Sequence, residues 1–334
     1  MSVALASLDP GRGACPERSR GAVAPTPFLE DVVCYGCGGG VSRPFVKAQD
    51  DLTGKPGIFQ FVRCDGCGLT YQNPRVSLEY IKDYYDDEYI AHRKTNWGAL
   101  NQAFERAMNQ LDAAKDRLVS RYVSLDRASE VLDVGCGVGT FLRRLHDRYG
   151  AGATGVDFKD LSSYPALHGT EFHCGLFYDA PLADRRFDLV TMWHFLEHDY
   201  DPLRSLRTAH RVLKPGGTMV IEVPRLDSAT FRLFRHRWPG LQAPQHTVLY
   251  DREHLLKFVE RAGFDSVDYL PYGAFPAYFY LFTGAAFLVL KGRGLNLKRA
   301  IAPYFVGKVL TSPIFAFEKH LNLAMQTVVC RRSR

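Results

Sequence analysis

The stretch from Glu130 to Leu142 constrains the fold of this chain more than any other. A short apolar run, 131–134, carries one acid, Asp133, and leads into glycines at positions 135, 137 and 139. A helical pattern follows, with apolar and basic residues on opposite faces: Phe141, Leu142 and Leu145 against Arg143 and Arg144. This order predicts a buried strand, a tight turn whose backbone a ligand can approach, and a helix N-terminus. Such a unit is a cofactor cradle.

The composition is that of a globular protein of about two domains. The chain has 334 residues, of which 46% are hydrophobic and 23% charged. Its net charge of +6 is mild, so it permits an anionic ligand or membrane surface without requiring nucleic acid. Residues 1–24 show no long apolar run, which favours a cytoplasmic protein over a secreted one. We expect residues 1–27, rich in Gly, Pro, Ala, Ser and Arg, to be a disordered tail.

Two cysteine pairs precede the cofactor cradle. Cys34-Tyr-Gly-Cys37 is followed, after 26 intervening residues, by Cys64-Asp-Gly-Cys67. Four thiolates at this spacing match a tetrahedral structural zinc site, with 58–62 as the strand between the two knuckles. Free cysteines, a redox CxxC and an iron–sulfur site are the alternatives. A closed four-cysteine site leaves no open coordination position, so the zinc is expected to stabilise the fold and to take no part in catalysis.

The rest of the chain divides by its hydrophobic pattern. We expect residues 28–75 to form the zinc ribbon and 76–125 a helical linker or lid, since apolar residues recur at helical spacing there. From residue 126 to 334, strands and helices alternate, with strands predicted at 131–134, 153–157, 170–174, 186–193, 218–223, 264–270 and 323–330. Asp251 is the predicted N-cap of a late helix. This alternation predicts a doubly wound α/β sheet that binds its ligand at the carboxyl ends of the strands.

An apolar segment interrupts this pattern before the last strand. No charged residue occurs from Tyr269 to Leu290, and Lys291, Arg293, Lys298 and Arg299 follow. Prolines and glycines break the run, which disfavours a transmembrane helix. We expect an apolar helical insert at 271–320. Its segment 271–300 could lie in a membrane interface as a peripheral contact, be buried in the protein, or meet another subunit.

The glycine spacing discriminates between cofactors. A dinucleotide fingerprint needs G-x-G-x-x-G, but here the glycines are spaced G-x-G-x-G, and Thr140 occupies the position of the third fingerprint glycine. This argues against NAD. A P-loop is excluded because no Lys-Ser or Lys-Thr pair follows the glycines.

The G-x-G-x-G loop, with Asp133 before it and Asp157 ending the next strand, resembles the class I S-adenosylmethionine-dependent methyltransferases. The segments 186–198 and 211–217 extend the resemblance. It implies a Rossmann-like seven-stranded methyltransferase sheet with helices on both faces, preceded here by the small four-cysteine zinc ribbon. It also implies that Asp133 contacts the methionine end of the cofactor and that Asp157 binds the ribose hydroxyls. The remaining cofactor-binding residues predicted from it are Gly135, Gly137, Gly139, Phe158 near the adenine, and Trp193 and His194 beside the sulfonium.

A closer resemblance covers most of residues 34–331. The zinc ribbon, the run Cys67-Gly-Leu-Thr-Tyr-Gln-Asn-Pro74 and the segment Pro244-Gln-His246 resemble a methyltransferase subfamily that includes sugar C-methyltransferases. The apolar insert departs from that subfamily, which puts a soluble nucleotide-sugar substrate in doubt.

Methyl transfer from a sulfonium is an in-line displacement, and a carbon or oxygen acceptor must also lose a proton. His246 is the predicted base, because it lies in a loop after the fifth strand, where the substrate pocket of a parallel sheet opens. Tyr250 is a weaker candidate for orienting the acceptor. His198 and Glu197 are expected to be structural. The predicted acceptor is a small molecule: a sugar, a lipid-linked compound or a secondary-metabolite intermediate. The alternative function is a non-catalytic, zinc-ribbon nucleic-acid-binding module on a degenerate methyltransferase scaffold.

Overall fold

The computed structural model describes residues 29–85, 101–182, 185–291, 293–294, 317 and 320–333. The predicted tail at 1–27 and most of the insert beyond Lys291 lie outside these residues. The strands are β1 Leu29–Glu30, β2 Ser42–Ala48, β3 Phe59–Cys64, β4 Thr70–Gln72, β5 Arg75–Val76, β6 Glu130–Val134, β7 Gly152–Asp157, β8 Glu171–Cys174, β9 Phe187–Trp193, β10 Leu213–Pro224, β11 Val248–Leu249, β12 Ser266–Leu270 and β13 Met325–Arg331. The helices are α1 Leu78–Ile81, α2 Asn101–Val119, α3 Thr140–Tyr149, α4 Pro202–Val212, α5 Ala229–Phe234, α6 Arg252–Arg261 and α7 Ala277–Leu290.

The main sheet has seven strands in the order β12-β13-β10-β9-β6-β7-β8. Strands β8, β7, β6, β9 and β10 are mutually parallel, and β13 is antiparallel to both of its neighbours. The strand order reverses between β6 and β9, and parallel sheets bind ligands at such a switch point. The predicted seven-stranded sheet is confirmed.

Helices cover both faces of this sheet, as predicted, because both faces of the central strands are apolar. Leu132 and Val190 pack with residues of α4 and α6 in one cluster. The residues before them, Val131 and Leu189, pack with residues of α2 and α3 in another cluster. Successive side chains of a strand point to opposite faces, so this alternation places one helix layer on each side.

The four-cysteine segment forms a second, smaller sheet in the order β11-β4-β3-β2. Its edge strand β11 comes from the chain after β10, and Val248 pairs with Tyr71 in antiparallel register. The ribbon sheet is therefore completed by a strand that directly follows the loop carrying His246. This pairing positions the wall of the candidate site described below.

The apolar segment after β12 folds as the helix α7. Ala277, Tyr280, Thr283, Gly284 and Phe287 are buried. Leu288 and Val289, on another side of the helix, are 48% and 80% exposed. None of the helices in the described part of the chain combines the length and the apolar content that a membrane crossing needs. Burial in the protein, one of the three predicted environments, thus applies to one face of α7.

Candidate active site

The glycine loop lies at the switch point, between β6 and α3. Gly135, Gly137 and Gly139 all have positive φ, at 73°, 54° and 79°, a region that disfavours other residues. A Cβ atom on Gly139 would lie 2.3 Å from the Cδ2 atom of Leu167, so the loop also needs glycine for space. Gly135 and Gly137 line the cavity next to the loop. The three predicted glycines are thus brought together at the start of α3.

Asp133 and Asp157 lie on either side of this loop, at the carboxyl ends of β6 and β7. The Asp133 carboxylate accepts a hydrogen bond from the Thr191 hydroxyl at 2.6 Å, and Asp157 accepts one from the Gly137 amide at 3.0 Å. Burial raises the pKa of Asp133 from 3.8 to about 7 and that of Asp157 to about 6. Two buried acids with raised pKa values favour a cationic ligand, because its charge would stabilise their ionised forms.

Phe158, Trp193 and His194 line the same cavity as Gly135, Gly137 and Asp157, whereas Asp133 and Gly139 are not among its lining residues. Phe158 follows Asp157, and its ring lies edge-on to Tyr85 with centroids 4.7 Å apart. Trp193 ends β9, is buried, and lies edge-on to Phe141. The cavity has a volume of about 1090 Å³ and continues from these residues to an apolar wall formed by Phe279, Phe282 and Ala286 of α7. A methyl donor at the glycine loop would therefore face a large apolar space.

His194 lies between two buried carboxylates. Its Nδ1 atom is 3.4 Å from Glu197 Oε1, and its Nε2 atom is 3.4 Å from Glu222 Oε1. Burial alone would lower the pKa of His194, but the two carboxylates raise it to about 9. Glu222 is also held by the backbone amides of Ala274 and Phe275, at 2.5 and 2.9 Å. His194 is therefore cationic at neutral pH, and its charge is balanced within the wall.

His246 lies in the cavity wall next to His198. It lines the cavity wall, although only 2% of its surface is exposed. Its Nδ1 atom is 2.8 Å from the Gly240 carbonyl, and its Nε2 atom is 4.0 Å from Glu197 Oε1. Its ring is 4.4 Å from that of His198, which also lines the cavity. Burial lowers the pKa of His246 well below its usual range, so the imidazole is neutral at neutral pH.

The structure does not bring Tyr250 to the cavity. Tyr250 is fully buried, and its ring packs edge-on against Phe258 in the core below the sheet end. Two features next to His194 were not predicted from the sequence. One is the carboxylate of Glu222, and the other is the position of Glu197 between His194 and His246. An acid inside the apolar run of β10 is a signal that could have identified Glu222. Nothing in the sequence indicates that Glu197 faces two histidines.

The four ribbon cysteines converge on one point. Their sulfur atoms all lie within 4.8 Å of one another, with Cys34 3.4 Å from Cys67 and Cys37 3.5 Å from Cys64. A tetrahedral zinc with Zn–S bonds of about 2.3 Å requires sulfur atoms about 3.8 Å apart. The two knuckles are matched, since the amides of Gly38 and Gly68 donate to the carbonyls of Cys34 and Cys64 at 2.8 and 2.9 Å. The donor set and its spacing fit a structural zinc ion.

The ribbon also holds the loop that carries His246. The backbone amide of Gln72 donates to the Thr247 carbonyl at 2.8 Å, and its side-chain amide lies 3.4 Å from the carbonyls of Pro244 and His246. The hydroxyl of Tyr85, which follows the ribbon, is 2.8 Å from Nδ1 of His198. The part of the cavity wall that holds His198 and His246, called the acceptor wall below, is therefore built from residues of both the small ribbon sheet and the main-sheet domain.

Comparison with known proteins agrees with this geometry. Residues 104–269 match the family model described as "Methyltransferase domain". The ubiquinone biosynthesis O-methyltransferase of Xanthomonas campestris pv. campestris is 31% identical over 169 residues, covering 48% of this chain and 69% of that protein. The protein of the same name from Pseudomonas paraeruginosa is 36% identical over 99 residues, covering 27% of this chain and 42% of that protein.

A solved structure of Haemonchus contortus phosphoethanolamine N-methyltransferase 2, in complex with S-adenosyl-L-methionine, matches with a TM-score of 0.45 and 16% identity. The match covers 68% of this chain and 53% of that one. Three findings together favour an enzyme over the alternative of a non-catalytic module. They are the family match, the relative of which this chain covers 69%, and the order of the strands in the sheet. The chain belongs to the class I S-adenosylmethionine-dependent methyltransferases.

Proposed function

We propose that this methyltransferase transfers the methyl group of S-adenosylmethionine to an oxygen or carbon of a small acceptor with a large apolar part. The observation that carries this proposal is the cavity, which runs from the glycine loop to the apolar side of α7. Its apolar wall favours a lipid-linked or secondary-metabolite acceptor over a free nucleotide sugar. The relatives named O-methyltransferases support oxygen as the accepting atom.

The cofactor residues have distinct roles in this proposal. Asp157 accepts the two ribose hydroxyls, Phe158 contacts the adenine, and Asp133 faces the methionine end with the amides of the glycine loop. Trp193 and His194 lie beside the sulfonium. The enzyme then mainly aligns acceptor, methyl carbon and sulfur, so that the C–S bond breaks as the new bond forms.

The side chains around His246 accept the proton that the acceptor loses. His246 is neutral and lines the cavity, and its Nε2 atom, 4.0 Å from Glu197 Oε1, is the ring nitrogen that remains able to accept a proton. Its lowered pKa makes it a weak base, which indicates that another group assists the deprotonation. Tyr250 has no part in this proposal, because its ring packs in the core.

The ribbon is proposed to bind one zinc ion through Cys34, Cys37, Cys64 and Cys67. The zinc would replace four thiol protons and fix the two knuckles, a structural contribution that leaves no open position for substrate. We also propose a peripheral membrane contact at α7. The exposed Leu288 and Val289 support it, and Lys291 ends the helix with a positive charge.

Calorimetric titration with S-adenosylmethionine tests the donor. The unaltered chain should bind one equivalent, and Asp157→Ala should lose binding by at least tenfold, because the ribose hydroxyls lose their acceptor. Asp160→Ala, an exposed acid nearby, is the matched control and should bind normally. Absence of binding by the unaltered chain would refute the donor assignment. The acceptor is then identified by mass spectrometry, as a metabolite that accumulates one methyl group lighter in cells lacking the protein.

A further inference from the structure

The carboxylate of Glu197 is buried without adequate partners. Its residue is 1% exposed, and neither carboxylate oxygen accepts a hydrogen bond from any residue that the structure describes. Its nearest positive group is His194, at 3.4 Å, and that imidazole is shared with Glu222. A buried carboxylate without hydrogen bonds destabilises the folded state, because it has lost its hydration without gaining partners. Such a group needs an explanation, and a cation bound beside it is one that its charge favours.

Two neutral histidines present nitrogen lone pairs next to this carboxylate. A carbonyl oxygen can only accept, so the contact of His246 Nδ1 with the Gly240 carbonyl at 2.8 Å puts the proton on Nδ1. The lone pair of Nε2 then points to the side of Glu197. Nδ1 of His198 is 3.1 Å from the Gln245 carbonyl and 2.8 Å from the Tyr85 hydroxyl, and which atom donates in these two contacts depends on the tautomer of the ring. Imidazoles oriented by an Nδ1–H bond to a carbonyl are typical of metal ligands.

The three groups converge. One donor atom from each of Glu197, His198 and His246 lies within 4.8 Å of the other two. A first-row metal with bonds of about 2.0–2.2 Å requires its ligand atoms roughly 3–4 Å apart, so a small rotation of the carboxylate closes the set. His198 and His246 line the cavity, and Glu197 lies behind them. A cation held there would keep its open positions on the acceptor side.

We propose that Glu197, His198 and His246 bind a divalent transition-metal cation that coordinates the oxygen of the methyl acceptor. Two imidazoles and one carboxylate with open positions suit Zn²⁺, Fe²⁺ or Mn²⁺ better than Mg²⁺ or Ca²⁺, which prefer oxygen ligands. This is a second metal site, separate from the ribbon and different in its donor atoms.

The site deepens the proposed function and rests on it. The acceptor hydroxyl coordinates the cation, which lowers the pKa of that hydroxyl, and its proton passes to water in the cavity. An oxygen lone pair then forms the bond to the methyl carbon while the C–S electron pair moves to sulfur, giving S-adenosylhomocysteine. His246 becomes a ligand in this step, so the weak basicity of its buried imidazole no longer limits the reaction.

Metal analysis tests the site. The full chain is incubated with Zn²⁺, freed of excess metal by gel filtration and analysed for zinc content. The unaltered chain should hold about two zinc ions, one in the ribbon and one in the acceptor wall. Glu197→Gln and His246→Gln should each hold about one. His236→Gln is the matched control, since this histidine lines the cavity but lies outside the cluster, and it should hold about two.

Two further measurements separate the possible failures. His246→Gln, which lies outside the proposed cofactor contacts, is titrated with S-adenosylmethionine, and unchanged affinity shows that it folds and that the donor assignment stands. Glu197→Gln, whose side chain contacts His194, is checked for folding by thermal unfolding. Substitution with Co²⁺ distinguishes the two sites by absorption spectroscopy. Co²⁺ bound to the four cysteines shows thiolate-to-metal charge-transfer bands, whereas Co²⁺ bound to Glu197, His198 and His246 shows only ligand-field bands. One zinc in an unaltered chain that binds S-adenosylmethionine would overturn the second site. A second zinc that persists in both Glu197→Gln and His246→Gln is adventitious and would overturn it equally.

Discussion

The affinity for S-adenosylmethionine should depend on pH through Asp133. Burial raises the pKa of this carboxyl to about 7, so it is mostly protonated at pH 6 and mostly ionised at pH 8. The bound cofactor carries an ammonium and a sulfonium group, which stabilise the ionised form. The ionised fraction falls about tenfold between pH 8 and pH 6, and the affinity should fall by the same factor, or about 1.4 kcal/mol. Asp157, with a pKa of about 6, adds a further loss near pH 5.

Calorimetry across pH 5.5–8.5 measures this dependence. The amino group of the ligand itself titrates near 7.7–8.0, as α-amino groups do, so the informative quantity is the difference between the unaltered chain and Asp133→Asn. The variant should bind more weakly at pH 8 and show a flatter profile between pH 6 and pH 8. Identical profiles for the two proteins would refute the assignment of Asp133 to the methionine end.

The same pKa shift predicts the opposite trend for the stability of the ligand-free chain. A folded-state pKa of about 7 exceeds the ordinary value of 3.8, so the folded state binds the proton more tightly than the unfolded state does. The contribution of Asp133 to stability is therefore complete below pH 3.8 and is lost as the pH rises through 7. Thermal unfolding of the ligand-free chain and of Asp133→Asn should differ in slope over this interval. A general effect of pH on folding cannot produce both trends.

Three other predictions follow from local geometry. Gly139→Ala should lower the melting temperature and abolish cofactor binding, because a side chain there meets both a positive φ and a contact at 2.3 Å. Gly169→Ala is the control, since Gly169 has a φ of +82° but open space around it, and its free energy of unfolding should fall by only about 1–2 kcal/mol. Ala286→Trp should fill the apolar end of the cavity and raise the KM for the acceptor without changing cofactor affinity. Leu288→Trp is the control on the same helix; Leu288 lies outside the cavity, so both constants should stay unchanged. Cys34→Ser should lower the zinc content by one ion and reduce stability, as measured by elemental analysis and thermal unfolding, and full retention of both would contradict the ribbon site.

Local signals in the sequence predicted most of the sheet. The seven strands of the main sheet lie within a few residues of their predicted positions, because apolar residues and flanking Gly, Pro or acidic residues mark most of them, whereas the two-residue strand β11 was not predicted. Asp251 caps α6 as predicted, accepting from the His254 amide at 2.9 Å. The exception is β10, which begins at Leu213 and includes Lys214-Pro-Gly-Gly217, the run expected to separate helix from strand. A register shift against β9 accommodates those residues, and sheet pairing therefore outweighs the local turn signal.

The residues of the candidate site also differ in how well the sequence predicts them. The glycine loop, Asp133 and Asp157 depend on local turns and strand ends, so sequence motifs predict their positions. The acceptor wall depends on contacts between distant segments. The sequence predicts a structural role for Glu197 and His198, and a Leu-Glu-His run after a strand carries no local sign of its surroundings. Its contacts with His194 and His246 arise only when β9, β10 and the following loop are brought together.

The ribbon gives the clearest case of such a distant contact. Strand β11 has two residues, too few to hold a register by itself, and it is fixed by pairing with β4 of the ribbon. His246 lies two residues before this strand, and Gln72 of β4 contacts its carbonyl. A change that loosens the four-cysteine knuckles therefore acts on β4, then on β11, and then on the wall around His246. Zinc bound at the four cysteines would therefore act on the proposed acceptor site without an open coordination position, because it would fix the backbone on which His246 is held.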